Sequence, residues 1–125
     1  MEDEVTLVHR GRSGPELFPQ AQHLIADRNA ELNTAIAAAG GQHWDLAIDT
    51  SGYFPCQVRL AATALTARVG RYVFISSISV YSDLAVPGAD ESAATKVLDD
   101  PSVEVVTGDT YGGLKRRCSS LTCAT

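Results

Sequence analysis

Tyr111 and Lys115, four residues apart in the stretch TYGGLK, are residue types that could do chemistry together. On a helix, positions i and i+4 share a face. A free phenol titrates near pH ~10, too high for a base at neutral pH, and an ammonium one turn away stabilises the phenolate and lowers that value. Ser77, in SSISVY (residues 76–81), carries a hydroxyl that can hydrogen-bond a substrate hydroxyl or carbonyl while the tyrosine moves a proton. No side chain accepts a hydride, so redox use of such a group needs a nicotinamide cofactor. Taken singly these signals are weak. Many ordinary surface helices contain the same Tyr–Lys spacing, and serines often simply end a buried strand.

Such side chains need elements to place them. EVTLVHRGR (residues 4–12) puts Val5, Leu7 and Val8 in a short β-prone run ended by Gly11. Residues 12–20 read as a loop broken by Gly14, Pro15 and Pro19. A second short strand is expected around Leu24 and Ile25. Residues 29–41 read as a helix, with Asn29 as N-cap, Leu32, Ile36 and Ala39 on one face, and Gly40 and Gly41 as its end. Leu46, Ala47 and Ile48, flanked by aspartates, read as a buried parallel strand.

PCQVRLAATALTARVG (residues 55–70) is the best helix in the chain. Pro55 suits its first turn, Val58, Ala62, Leu65 and Val69 recur at helical spacing, and Gly70 is expected to stop it. Residues 72–75 have the aromatic and β-branched composition of a central strand. A long polar stretch follows over 82–108, with Val97, Leu98 and residues 103–106 as its only apolar runs, and a helix is expected to start near Thr110.

The order is therefore β, β, α, β, α, β, loop, α. Such alternation predicts an α/β fold with parallel strands and crossover helices. Ligands in these sheets sit beyond the carboxyl ends of the strands. Those ends here are residues 9–12 (HRGR), 26–28 (ADR), 49–53 (DTSGY) and 76–81, all polar or glycine-bearing.

Bulk properties narrow the partners. A chain of 125 residues is one domain at most, and its 45% hydrophobic and 20% charged residues are ordinary for a globular protein. A net charge of −5 argues against a dedicated nucleic-acid binder. The basic run Lys115, Arg116 and Arg117 reads as a solvated helix surface. No apolar stretch is long enough to span a membrane. Three cysteines without a CxxC pair, and no signal peptide, point to a reducing cytoplasm. His9, His23 and His43 are scattered, so no metal site is expected.

In combination, RYVFISSISVYSD and TYGGLK, with HRGR, ADR and WDLAIDTSGY upstream, resemble the NAD-dependent epimerase/dehydratase family, in the extended branch of the short-chain dehydrogenase/reductase superfamily. The resemblance runs over residues 4–118. It implies a Rossmann-like parallel sheet and a small-molecule substrate, a sugar nucleotide or a similar hydroxyl or carbonyl compound. By position it makes Ser77, just before Val80 and Tyr81, the catalytic hydroxyl, with Ser76 its neighbour. It makes Tyr111 the acid/base, and Lys115 its helper and the holder of the nicotinamide ribose. Asp27 and Arg28 fall near the adenine, and Thr50, Ser51 and Gly52 along the phosphates and ribose. Arg10 and Arg12 stand where NAD-preferring members carry an acidic residue, and a guanidinium fork suits a phosphate, so NADP is favoured over NAD.

The sequence also departs from that family. It has no glycine-rich turn to bring backbone against a pyrophosphate at a helix N-terminus. It begins at what resembles the second strand, so the first strand, its turn and the C-terminal substrate region are expected to be missing. Residues 1–118 then form a partial dinucleotide-binding domain and 119–125 a tail outside it. Ser119, Ser120, Thr122 and Thr125 are expected not to continue the helix. Without a central strand its neighbours would expose unpaired edges, and cofactor binding by this chain alone would be weak or nil. Two other readings stand beside the enzyme: a non-catalytic remnant, and a binding module like the RNA-binding relatives, which the acidic balance disfavours. Asp90, Glu91, Asp99 and Asp100 fit a pocket lining or a loop surface.

Overall fold

The computed structural model describes residues 3–14, 16–85 and 87–122. In chain order it has strands β1 (Thr6–His9) and β2 (Gln22–Ile25), helix α1 (Leu32–Ala38), strand β3 (Trp44–Asp49), helix α2 (Pro55–Leu65), strand β4 (Val69–Phe74), a 3-10 turn (Ile78–Val80) and helix α3 (Tyr111–Thr122). The expected order of elements is present. Both strand pairings are parallel, β1 with β2 and β3 with β4, in two separate two-stranded sheets. The fold is mixed α/β.

Helix α1 contributes Leu32 and Ile36 and α2 contributes Ala61 to a core that also gathers Leu24, Trp44 and Tyr72. The alternation of a strand puts neighbouring side chains on opposite faces. Tyr72 of β4 and its partner Ala47 of β3 thus face the helices, while Leu46 and Ile48 lie on the other side. The expectation that residues 46–48 are buried on both faces fails there: Leu46 is 47% and Ile48 58% exposed. Only one face of this strand pair is covered among the described residues.

Three further expectations need correcting. Asn29 does not cap α1. Glu31 holds that position without a side-chain capping bond to the helix, and the Asn29 Oδ1 instead accepts from Gln57 Nε2 at 2.8 Å. Helix α2 ends at Leu65, not at Gly70. Ala67 takes φ +61° in the connection, and Val69 and Gly70 are already strand residues. A Cβ at Gly70 would stand 3.0 Å from the Asp45 carbonyl oxygen, so glycine suits that close strand approach. Helix α3 does not stop at Cys118 but runs to Thr122. The Ser119 and Ser120 hydroxyls donate to the carbonyls of Lys115 and Arg116, the back-bond by which serine is accommodated inside a helix. Thr125 lies outside the described residues.

The two halves are tied by side chains. Trp44 Nε1 donates to Thr6 Oγ1 at 3.0 Å, linking the start of β3 to the start of β1. Arg28, just after β2, grips Asp49 at the end of β3 with two nitrogens, at 2.7 and 2.8 Å. Helices α2 and α3 pack together, and between them they supply the largest fully buried side chains, Val58, Leu114 and Cys118.

Candidate functional site

Beyond the carboxyl ends of β1, β2 and β3 lies a cleft of about 520 Å³. Its lining includes Arg10, Arg12, Asp27, Arg28, Thr50 and Ser51, six of the residues expected near a cofactor. Of the other two expected there, Lys115 does not line the cleft and Gly52 is buried beside it. A Cβ there would stand 2.7 Å from Val58 and 2.8 Å from Phe74, so only glycine lets the chain pass.

The groups in the cleft differ in how free they are. Arg10, Arg12 and Thr50 are exposed and make no side-chain hydrogen bond among the described residues. Asp27 is engaged locally: its Oδ1 accepts from Asn29 N at 2.8 Å, while its own N–H donates to Glu31 Oε2. Arg28 is committed to structure. Besides Asp49 it donates to Ser51 Oγ at 2.8 Å and to the Gln57 carbonyl at 3.2 Å. Tyr72 completes the cluster, its hydroxyl donating to Asp49 Oδ2 at 2.5 Å.

Burial opposes the charge on both Arg28 and Asp49. Their mutual hydrogen bonds, with that of Tyr72, outweigh it, so the Arg28 pKa is raised and the Asp49 pKa lowered. Burial, and then the hydrogen bond to Asp49, push the Tyr72 phenol well above its usual range. Sequence reasoning missed Asp49 and Tyr72 as partners of Arg28. It also missed Gln57, whose Oε1 accepts from Tyr53 N at 2.9 Å and Phe54 N at 3.2 Å at the start of α2. An amide side chain in the first turn, three residues after an uncapped Phe54, was the available signal.

Tyr111 and Lys115 sit one turn apart on α3, as expected. Lys115 is only 3% exposed, which corrects its reading as solvated surface. Its Nζ donates to the Gly52 carbonyl at 3.0 Å and the Ile75 carbonyl at 2.8 Å, and stands 4.3 Å from the centroid of the Phe74 ring. The rest of the basic run is engaged too. Arg116 Nε donates to Thr95 Oγ1 at 2.7 Å and Arg117 donates to the Pro101 carbonyl, so both fasten α3 to the long loop.

Ser77 Oγ accepts from Ser79 N at 3.1 Å and caps the 3-10 turn, while the hydroxyl oxygens of its neighbour Ser76 and of Ser119 lie 2.8 Å apart. Gly112 packs directly on the Ser79 carbonyl, which brings the first turn of α3 against that turn. The structure therefore places Ser77 and Tyr111 on abutting elements, but no hydrogen bond joins Ser77, Tyr111 and Lys115 to one another among the described residues. The ring of Tyr53, a cleft residue, lies 6.3 Å from that of Tyr111 and 5.7 Å from Lys115 Nζ. Tyr53 thus connects the cleft to the helix pair, a role no spacing revealed.

Two other groups are less promising. Burial pushes the Cys118 thiol up to about 11, so it stays protonated and unreactive at neutral pH. In the long loop, Asp90 and Asp100 each accept from the backbone N–H and hydroxyl of the serine two residues on, Ser92 and Ser102. Their carboxylates are loop fasteners on the surface.

No family model, curated protein or solved structure matches this chain in the comparisons made. No helix among the described residues is long and apolar enough to cross a membrane.

Proposed function

We propose that this chain is a partial dinucleotide-binding domain of the NAD-dependent epimerase/dehydratase type, with a cleft that takes the adenosine end of NADP in preference to NAD. The observation that carries this reading is the cleft itself. It opens at the carboxyl ends of the parallel pair β1–β2 and of β3, which belongs to the second parallel pair, and holds two unengaged guanidinium groups, Arg10 and Arg12, beside polar Thr50 and Ser51. Ligands of open α/β folds occupy that position, and guanidinium forks suit phosphate oxygens.

The residues fit one end of the cofactor better than its middle. Arg10 and Arg12 would hold a ribose phosphate, and Asp27 and Thr50 would border the adenosine. No glycine-rich turn is present in the sequence to cradle a pyrophosphate, so binding by this chain is expected to be weak. A bound nicotinamide would supply hydride transfer. The part left to the protein is proton handling. Tyr111 would hold and move the proton at its phenolic oxygen, and Ser77 Oγ would orient a substrate hydroxyl or carbonyl. Lys115, rooted in two carbonyls beneath, would present its charge from the same helix face.

One observation favours a second reading, a non-catalytic remnant. Lys115 Nζ is already bonded to Gly52 and Ile75, which is also what a structural fastener between α3 and two strand ends would do.

Calorimetric titration with NADP and NAD separates these readings. The expected result is a dissociation constant on the order of 1 mM for NADP, weaker binding of NAD, and loss of the difference in the double variant Arg10→Ala, Arg12→Ala. Equal affinity for the two dinucleotides, or a preference that survives the double variant, overturns the assignment of the arginines. No heat with either, from a cooperatively folded chain, leaves the remnant reading.

A further inference from the structure

The strand register brings two histidines together that sequence spacing leaves fourteen residues apart. His9 Nε2 lies 2.7 Å from His23 Nδ1, with the rings nearly perpendicular at 87°. The pair is not isolated. The Gly11 N–H donates to His9 Nδ1 at 3.0 Å, and His23 Nε2 lies 3.1 Å from the Phe18 carbonyl oxygen. The two ends of this chain decide everything between them. A backbone N–H can only donate and a carbonyl oxygen can only accept. His9 Nδ1 is therefore bare, His9 Nε2 carries the proton given to His23 Nδ1, and His23 Nε2 carries the proton given to Phe18. Three links use three protons, and both rings are neutral Nε2–H tautomers.

We propose that this imidazole relay is a proton-sensitive latch on the connection between β1 and β2. A fourth proton has no place in the chain. On His23 Nδ1 it faces the His9 N–H. If His9 then changes tautomer to accept, its new Nδ1–H faces the Gly11 N–H. Wherever it lands, two donors oppose each other and one link opens. Phe18 adds a reason for release to follow, because it holds φ +58°, a left-handed conformation unfavourable to a side-chain-bearing residue. Ala21 N also donates to the Phe18 carbonyl, so that carbonyl anchors the approach to β2.

The surrounding charges do not supply another partner for the extra proton. Arg10 and Arg12 follow β1, Asp27 and Arg28 follow β2, and Tyr53 lies across the cleft. Asp27 is held by Asn29 and Arg28 by Asp49, and Glu31 is held by Asp27 N. Glu16 is exposed in the connection itself. None hydrogen-bonds either imidazole. Since Gly11 sits between Arg10 and Arg12, opening the latch frees the segment that carries both guanidinium groups. The inference stands on the relay alone, whatever the cleft binds.

The test uses the full chain labelled with nitrogen-15. At about pH 7.5 both rings are expected to show the Nε2–H tautomer in long-range nitrogen–proton spectra. Between about pH 7.5 and about 5.5 the protection factor of the Gly11 amide, corrected for its intrinsic exchange rate, is expected to fall about fivefold or more, the worth of one hydrogen bond. Amides of β3 and β4 are expected to keep theirs. In His9→Phe the Gly11 protection factor is expected to be low and independent of pH. An Nδ1–H tautomer on either ring, an unchanged Gly11 protection factor, or a parallel loss in β3 and β4 overturns the latch. So does a pH dependence that survives in His9→Phe.

Discussion

The two parallel strand pairs have ladders of similar length and are held in different ways. On β3–β4, helices α2 and α3 contribute the fully buried Val58, Leu114 and Cys118. Among the described residues, α1 is the one helix in substantial contact with β1–β2, through β2, and Ile25 remains 59% exposed. There the strands are joined across their surface by polar side chains, Thr6 to Gln22 and His9 to His23. Burial of apolar area is the larger and steadier stabiliser, and parallel pairs depend on helices to provide it. The half that presents the unengaged arginines is thus the softer half, and the half that carries Tyr111 and Lys115 is the firmer one.

Leu114→Ala strikes the firm half directly. It is expected to cost about 3 kcal/mol in urea unfolding, against about 1–2 kcal/mol for the half-buried Leu24→Ala next to α1. Equal losses would mean that the two halves share one core evenly, and the contrast would fall.

Arg28→Ala cuts the tie between the halves and leaves Asp49, whose side chain is 8% exposed, without its cation, held only by the Tyr72 hydroxyl and the Ser51 N–H. A loss of about 2–3 kcal/mol is expected. The same contact sets the acid limb of stability. Asp49 titrates lower in the folded chain than in the unfolded one, so its contribution is complete above the unfolded value near ~3.9 and fades as pH falls through the lower folded value. Asp49→Asn is therefore expected to flatten the stability profile below about pH 4. Tyr72 acts at the other limit. Its folded pKa is raised, so its contribution is complete below about pH 10 and is lost above it, and Tyr72→Phe removes that alkaline loss.

Gly112→Ala forces a methyl group onto the Ser79 carbonyl and to within 2.8 Å of Lys96, prising α3 from the 3-10 turn. About 2 kcal/mol is expected in thermal or urea unfolding. If the variant is as stable as the parent, the abutment of the Ser77 turn and the Tyr111 turn is looser than described. The smallest effects concern backbone. Ala67→Gly in the firm half and Phe18→Gly in the soft half each relieve a left-handed residue. Each is expected to change stability by less than about 1 kcal/mol, because glycine also adds freedom to the unfolded chain. A gain at Ala67 with a loss at Phe18 would show that the Phe18 ring, although exposed, contributes packing in the soft half.

Much of the local structure was legible. Period-two and period-3.6 patterns, with Pro55 at the start of α2, located every strand and helix to within a few residues. The errors have common causes. Gly70 was read as a stop because glycine usually breaks a pattern, whereas here it allows a close strand approach. Ser119 and Ser120 were read as helix breakers, yet their hydroxyls found carbonyls one turn back. The cleft residues were legible as polar strand ends. Their differing engagement was not, since the pairing of Arg28 with Asp49 spans twenty-one positions.

By itself the sequence determined the order of elements, the α/β class and the set of polar strand ends, because these follow from local propensity and from the spacing of apolar residues. Only the tertiary structure decided which cations are free. Lys115 and Arg28, alike on paper to Arg10 and Arg12, lie where carbonyls and a carboxylate from distant segments converge, and a buried charge is retained only with such partners. It also decided that His9 meets His23, since the register of two parallel strands depends on contacts that no short stretch of the chain contains.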